Sequence, residues 1–225
     1  MESARSEAGG EGWRLGVWFG IVGLLIFIAY AARASGGDPD ADALYQYETA
    51  VSGIVIYGML LGFVFLLARG LPKEAFFALR RPESWSKALG LALGAYVTIF
   101  IGAGLILIAL DAGDEQGLTP EDWDPDRAGQ YAANFVAVAL VAPIVEELLY
   151  RGAGMTLLAR WGVPAAVIVT SLGFGLGHGL VLALPALVLF GLVTAALRHL
   201  TASVYPCILV HCAFNATSLI VSVAA

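Results

Sequence analysis

Charged residues are scarce in this sequence of 225 residues. Only 13% of the residues are Asp, Glu, Lys or Arg, whereas 59% are hydrophobic and the mean hydropathy is +0.81. Soluble domains carry about 25% charged residues, and a chain with half that share cannot cover its surface with polar groups in water. The composition therefore predicts a protein whose surface contacts lipid, built as a single transmembrane domain over residues 1–225.

Cysteine and basic clusters are also lacking, and each absence excludes a class of protein. The two cysteines, Cys207 and Cys212, lie five residues apart, so a helix would turn them to different faces and no disulfide framework is expected. The net charge is −6, and the sequence contains no long run of Lys and Arg. This argues against nucleic acid as a partner and leaves membrane lipid as the first expected one.

Long apolar runs dominate the sequence instead. A hydrocarbon core of about 30 Å takes roughly 20 apolar residues in a helix. We therefore predict an all-α, polytopic membrane helical bundle of about seven transmembrane helices, or eight, with spans at 14–33, 48–69, 87–110, 131–158, 162–178, 180–198 and 203–223. The fifth and sixth spans are short and are joined by the glycine-rich stretch Gly173–Gly179, which could instead form a broken or re-entrant element.

The charges of the loops predict how the bundle is oriented. Basic residues lie between the second and third spans and at the ends of the fourth and sixth: Arg69, Lys73, Arg80, Arg81, Lys87, Arg160 and Arg198. The loops after the first and third spans are acidic: Asp38, Asp40 and Asp42, then Asp111, Asp114, Glu115, Glu121, Asp122, Asp124 and Asp126. Because Lys and Arg favour cytoplasmic loops, we expect a cytosolic N-terminus and an external C-terminus, with Arg33 as the exception. Three tryptophans near predicted interfaces are interpreted as anchors: Trp13, Trp18 and Trp123.

The fourth span carries three ionisable residues, although each costs about 2.5–3.5 kcal/mol near the bilayer centre. Glu147 and Arg151 lie four residues apart, so they share a helix face and are expected to form an ion pair, either as scaffold or in support of chemistry. Glu146 points about 100° away and has no cation near it in sequence. It is the candidate for a group that takes and returns a proton, with Tyr150 as a neighbour that either packs or hydrogen-bonds. Pro143 is expected to open the helix locally.

Two histidines complete the set of candidate residues. His178 follows Phe174 by four residues, and Asn215 follows His211 by four, so each pair shares a helix face. An imidazole and a carboxamide on one stripe can bind a water, a substrate carbonyl or a developing oxyanion. The alternative for each pair is a hydrogen bond between helices, and for His178 both interpretations stay open.

In this order, EExxxR at 146–151, FxxxH at 174–178 and HxxxN at 211–215 resemble the CPBP family of intramembrane proteases, which groups type II CAAX prenyl endopeptidases with bacterial Abi and bacteriocin-processing proteins. The resemblance covers residues 130–220, the expected catalytic core of the bundle. It implies a glutamic-type endopeptidase that hydrolyses a peptide bond, without a covalent intermediate, in a membrane-associated or lipid-anchored protein or peptide. We accordingly expect an integral protein of a bacterial or archaeal plasma membrane. Prenylated tails, bacteriocin leaders and sorting signals all stay open as substrates.

Residue by residue, the resemblance implies a general base at Glu146 with His178 assisting, and an oxyanion site made by His211 and Asn215. Glu147 and Arg151 match its remaining positions and look supportive. It implies no cofactor and no metal. A zinc site formed by Glu146, His178 and His211 is the alternative, since three such ligands leave an open fourth position, although the HExxH spacing is absent.

Two other functions compete with proteolysis. One is a non-catalytic immunity or scaffolding protein of the same family, because membership does not prove turnover. The other is a proton-coupled transporter that relays protons through Glu146, Glu147 and His211. Transporters usually carry internal repeats, and the sequence contains none that we can identify.

Overall fold

The computed structural model describes the backbone of residues 2–36, 40, 42–113, 115, 120 and 122–224, and the side chains of these residues from Gly12 onward. Three acidic residues used for the predicted orientation, Asp38, Asp114 and Glu121, lie outside the described residues. Within them, all regular structure is helical, which confirms the predicted all-α bundle. In chain order the α-helices are α1 (Glu2–Ala34), α2 (Tyr47–Leu67), α3 (Lys73–Phe76), α4 (Trp85–Leu110), α5 (Ala128–Val136), α6 (Ala142–Glu147), α7 (Met155–Leu158), α8 (Val163–Leu176), α9 (Leu184–Thr201) and α10 (Tyr205–Ser222).

Six helical stretches in the described part of the chain are long and apolar enough to cross a bilayer: Gly12–Ala34, Tyr47–Leu67, Trp85–Leu110, Pro125–Trp161, Leu184–Thr201 and Tyr205–Ser222. A helix pairs most of its backbone polar groups within itself, which is the condition for crossing a region without water. Together they mark the chain as an integral membrane protein.

The fifth predicted span is shorter than expected, so the count of seven is not confirmed. Residues 163–176 form α8, a helix of 14 residues. At 1.5 Å per residue α8 is about 21 Å long, less than the roughly 30 Å of hydrocarbon that it would have to cross. It ends in a turn that carries His178 and leads into α9 at Leu184. The alternative of a broken element at the glycine-rich stretch therefore matches the structure better than a full span.

The 37-residue stretch Pro125–Trp161 is not a uniform helix. Two π-helical turns, Ala137–Val141 and Leu148–Gly154, separate α5, α6 and α7. Pro143 explains the first π turn, because its ring would clash with the carbonyl four residues earlier and it has no N–H to donate. The predicted opening of the helix at Pro143 is thus confirmed, and α6 presents Glu146 and Glu147 between two turns of altered pitch.

Helices α8 and α9 approach closely because both have glycine at the contact. A Cβ atom on Gly191 would lie 2.8 Å from Ser171 Cα, and one on Gly175 would lie 2.9 Å from Val188 Cγ2. Neither approach leaves room for a side chain, in the manner of small residues at membrane helix interfaces. At this contact the Gly191 carbonyl accepts from Arg151 at 3.1 Å.

The interpretation of Trp18 as an interfacial anchor is wrong. Its side chain is fully buried, and its indole N–H donates to the Leu149 carbonyl at 2.9 Å inside the second π turn. Burial is favourable here because the ring fills the core while its one polar atom has a partner. Trp13 and Trp123 are about half exposed, as anchors would be.

At each end of the bundle a different set of contacts holds the helices together. At one end, Arg14 donates to the carbonyls of Leu67 and Arg69, which ties the start of α1 to the end of α2. At the other, Glu115 pairs with Arg33 at 2.9 Å and accepts from the N–H groups of Val181 and Ala183, just before α9. Burial alone would raise the pKa of Glu115, but the backbone donors and Arg33 outweigh it and hold that pKa below its usual range.

Candidate active site

Glu147 lies at the centre of a buried polar cluster that contains three of the predicted site residues. Its Oε1 accepts from Arg151 at 3.1 Å and from His211 Nδ1 at 2.9 Å. The side chains of Glu147 and Arg151 have no exposed area, which confirms the ion pair predicted from their spacing. A second Arg151 nitrogen donates to the Gly191 carbonyl at 3.1 Å, so the cluster joins the Pro125–Trp161 stretch to α9 and α10.

The arginine is also held by the aromatic ring of the second motif. Arg151 Cζ lies 4.7 Å from the ring centroid of Phe174. That ring is edge-on to His211, with 5.6 Å between the centroids. Cation–π and edge-to-face contacts of this kind stabilise a desolvated charge and fix ring orientation. Phe174, which the motif relates only to His178, therefore contacts the cluster from α8.

Glu146 has partners from two other helices. Its Oε1 accepts from the Tyr57 hydroxyl at 2.6 Å, and its Oε2 lies 3.8 Å from His211 Nε2. Because His211 Nδ1 faces the Glu147 carboxylate, the hydrogen belongs on Nδ1, and Nε2 is the nitrogen directed at Glu146. The two adjacent carboxylates thus meet the two nitrogens of one imidazole.

A cavity of about 150 Å³ joins Glu146 to His178, with walls that include Leu25 of α1 and Tyr57 of α2. A single water needs about 10–15 Å³, so the cavity can hold water against the Glu146 carboxylate. His178 Nδ1 lies 2.8 Å from the Phe174 carbonyl, which can only accept, so its Nε2 is the nitrogen left without a hydrogen.

Asn215 is the predicted site residue that, among the described residues, contacts neither the Glu147 cluster nor the cavity at Glu146. Its Nδ2 donates to the Val138 carbonyl at 2.9 Å, in the first π turn. In a π-helical pattern that carbonyl would accept from residue 143, which is a proline and has no N–H. Asn215 therefore supplies the donor that Pro143 cannot. Its role at an oxyanion stays a prediction.

Tyr57 is the residue of this site that the sequence did not reveal. It lies on α2, outside every motif, and its phenol is nonetheless the shortest contact of Glu146. A tyrosine in the middle of an apolar span is a usable signal, because a buried hydroxyl needs a partner. Tyr150, the neighbour weighed for this contact, instead donates to the Gly173 carbonyl at 3.3 Å.

No group of three His, Cys, Asp or Glu side chains within the described ranges converges closely enough to hold a metal ion. Cys207 and Cys212 are both free, and Cys207 is fully buried beside the Thr194 carbonyl. The arrangement as it stands provides a carboxylate beside water-sized space, an imidazole held by a second carboxylate, and another imidazole across the cavity. These are the parts needed to activate a water and to move a proton.

The family comparison agrees with the motifs. Residues 128–217 match the Rce1-like family, described as type II CAAX prenyl endopeptidase Rce1-like. The matched range contains Glu146, Glu147, Arg151, His178, His211 and Asn215. No curated protein and no solved structure matches the chain. The resemblance to the CPBP and CAAX protease family is thereby confirmed over these residues.

Proposed function

We propose that this integral membrane protein, whose residues 128–217 form an Rce1-like domain, is a glutamic-type intramembrane endopeptidase. The family supports a peptidase, and the observation that carries the finer proposal is the cavity shared by Glu146 and His178, beside an imidazole that faces Glu146 at 3.8 Å. The substrate is a peptide or protein held at the membrane, because the site lies among spanning helices.

In the proposed reaction Glu146 takes a proton from a water in the cavity as the water oxygen attacks the scissile carbonyl carbon. The carbonyl becomes a tetrahedral oxyanion beside His211, and His178 assists Glu146 from across the cavity. The C–N bond then breaks, and the departing amine takes up the proton that Glu146 received. No Ser or Cys nucleophile is required.

Glu147 and Arg151 act in this proposal as positioning residues. Neither lines the cavity that holds Glu146, and both are completely buried. Their part is to fix the ring of His211, so that its Nε2 stays directed at the reacting atoms. Such fixed dipoles and charges are effective because they need no reorganisation during the reaction.

The cavity is smaller than the roughly 300–1,000 Å³ of ordinary ligand sites, so it admits water but not a peptide. Its walls at Leu25 and Ile56 belong to α1 and α2, and both helices expose apolar residues on their outer faces. A substrate therefore requires these walls to move apart. Prenylated tails, leaders and sorting signals are not distinguished by this argument.

The decisive experiment compares Glu146→Gln with the unmodified protein in liposomes that contain a panel of membrane-anchored peptides, with cleavage read by mass spectrometry. Removal of a general base lowers turnover by about 10²–10⁴-fold, so the cleavage rate should fall by at least about 100-fold. Glu48→Gln is the matched control, because it makes the same change on an exposed residue of α2 and should leave the rate unchanged.

Two outcomes would redirect the proposal. Equal phenotypes of wild type and Glu146→Gln in cells, with no cleavage of any peptide, would favour the non-catalytic immunity or scaffolding protein. Cleavage that strong chelators stop and added zinc restores would favour the zinc site of Glu146, His178 and His211.

A further inference from the structure

A second cavity, of about 640 Å³, lies away from the site, where residues 80–84 and the start of α4 meet the end of α9. Its polar walls carry three cationic side chains, Arg80, Arg81 and Lys87, against one carboxylate, Glu83. Its apolar walls include Leu91 and Leu200, and Leu200 is 62% exposed. The cavity thus joins a basic recess to a lipid-facing apolar surface.

The cations of this cavity form no ion pair with any described residue. Over the described residues, no carboxylate lies within ion-pair distance of Arg80, Arg81 or Lys87. The side chains of Arg81 and Lys87 also make no hydrogen bond to any described group. The proposed reaction uses none of the three. Three adjacent cations against one carboxylate leave an excess of positive charge, so an anion bound among them would be stabilised.

The floor of the cavity is already fixed in place. Arg80 Nε donates to the Ala202 carbonyl at 2.6 Å, and the Ser203 hydroxyl donates to the Arg80 carbonyl at 2.6 Å. The Val204 N–H donates to Ala78, and both Ala78 and Ala202 adopt left-handed backbone conformations with φ of 52°. Non-glycine residues seldom adopt this conformation, so the loop is held by its cross-links rather than by local preference.

We propose that this cavity binds the phosphate headgroup of an anionic phospholipid. Arg81 and Lys87 contact the phosphate, and an acyl chain lies along Leu91 and Leu200. Basic pockets between transmembrane helices are suited to such headgroups, because the recess supplies charge and the adjoining apolar surface takes the chain. A soluble phosphate shares the charged part of this chemistry but not the apolar part.

The test titrates delipidated protein in detergent with phosphatidylglycerol or phosphatidylcholine and counts bound lipid by native mass spectrometry. Phosphatidylglycerol should bind at least tenfold more tightly. The double substitution Arg81→Gln/Lys87→Gln should weaken phosphatidylglycerol binding about twenty-fivefold, at roughly fivefold for each charge, and leave phosphatidylcholine unchanged. Arg80 is retained in both proteins because it holds the loop.

The matched control is Arg69→Gln/Lys73→Gln, which removes two cations from the segment between α2 and α4 without touching the cavity. It should change phosphatidylglycerol binding by less than threefold, and all variants should share the thermal unfolding temperature of wild type. If both double variants lost the same amount of phosphatidylglycerol affinity, the effect would come from the general surface potential and not from this cavity. That result would overturn the proposal. Glycerol phosphate that binds as tightly as the lipid would overturn it too, because the apolar wall would then contribute nothing.

Discussion

At the scale of single residues, His211 is where the two carboxylates of the site meet. Its Nδ1 faces Glu147 and its Nε2 faces Glu146, so neighbours in sequence have different environments. Glu147 is neutralised by Arg151 and is fully buried, whereas Glu146 borders a cavity that can hold water. Adjacent positions on a helix point about 100° apart, and in the proposed mechanism this divergence separates a positioning carboxylate from a reactive one.

Tyr57→Phe should lower kcat by about tenfold or more and leave KM unchanged. A hydrogen bond to a charged group contributes about 1.5–3 kcal/mol, and here it orients the carboxylate rather than the substrate. Tyr96→Phe is the control, since it removes a phenol that donates to Thr217 Oγ1 at 2.8 Å on other helices. Steady-state cleavage kinetics of both variants provide the measurement. An equal loss of kcat in the two would show that Tyr57 acts only through stability.

The buried pair of Glu147 and Arg151 predicts non-additive stability. Either Glu147→Gln or Arg151→Met leaves one charge buried without its partner, which should cost about 3–5 kcal/mol. The double variant removes both charges and should recover most of that loss in detergent unfolding. It should nevertheless cleave slowly, because His211 then lacks an anionic partner at Nδ1. Additive losses would show that the pair is not coupled.

At the scale of elements, Pro143 and Asn215 are linked through one carbonyl. Proline leaves the Val138 carbonyl of the π turn without its backbone donor, and α10 supplies a side-chain donor in its place. The site stretch and α10 are therefore joined by a hydrogen bond that a regular helix would not need.

This predicts a specific double-mutant cycle. Asn215→Ala should cost about 1–3 kcal/mol of stability in the native background, since it leaves a carbonyl unpaired. In a Pro143→Ala background the cost should be clearly smaller, because residue 143 then has an N–H of its own. Ser218→Ala, which removes a hydroxyl that donates to Phe214, should cost the same in both backgrounds. Equal costs for Asn215→Ala in the two would refute the linkage. Unfolding in detergent measures all of them.

Contacts within one helix were predictable from sequence, and contacts between helices were not. The spacing of Glu147 and Arg151 dictates their pair, and Pro143 predicts an irregular helix, because both follow from helix geometry. The bond from Tyr57 to Glu146 depends on which helix packs beside α6, and apolar spans resemble one another too closely to reveal that. Trp18 was misplaced for the same reason, since its burial depends on the π turn that it contacts.

At the scale of the whole molecule, charge is distributed unequally between the two ends of the bundle. At one end, Arg14 and Arg160 line the same cavity. The basic recess at Arg81 lies at that end as well. The other end carries an acidic group whose cation is Arg33, the exception to the predicted orientation. Arg33 is paired with Glu115 there, so its charge is offset locally and does not oppose the general asymmetry.

The asymmetry predicts which end faces the cytosol. Ser35→Cys, at the end of α1, should react with a membrane-impermeant maleimide in intact cells, whereas Ser86→Cys, at the start of α4, should react only after the cells are opened. Both positions are exposed. Of the native cysteines, Cys207 is buried and Cys212 is partly exposed, so labelling of the wild-type protein measures the background from Cys212. Labelling in the reverse order would place the basic recess outside, where fewer anionic lipids would be expected to meet it. The orientation and the lipid site therefore depend on the same charges, and one labelling experiment constrains both.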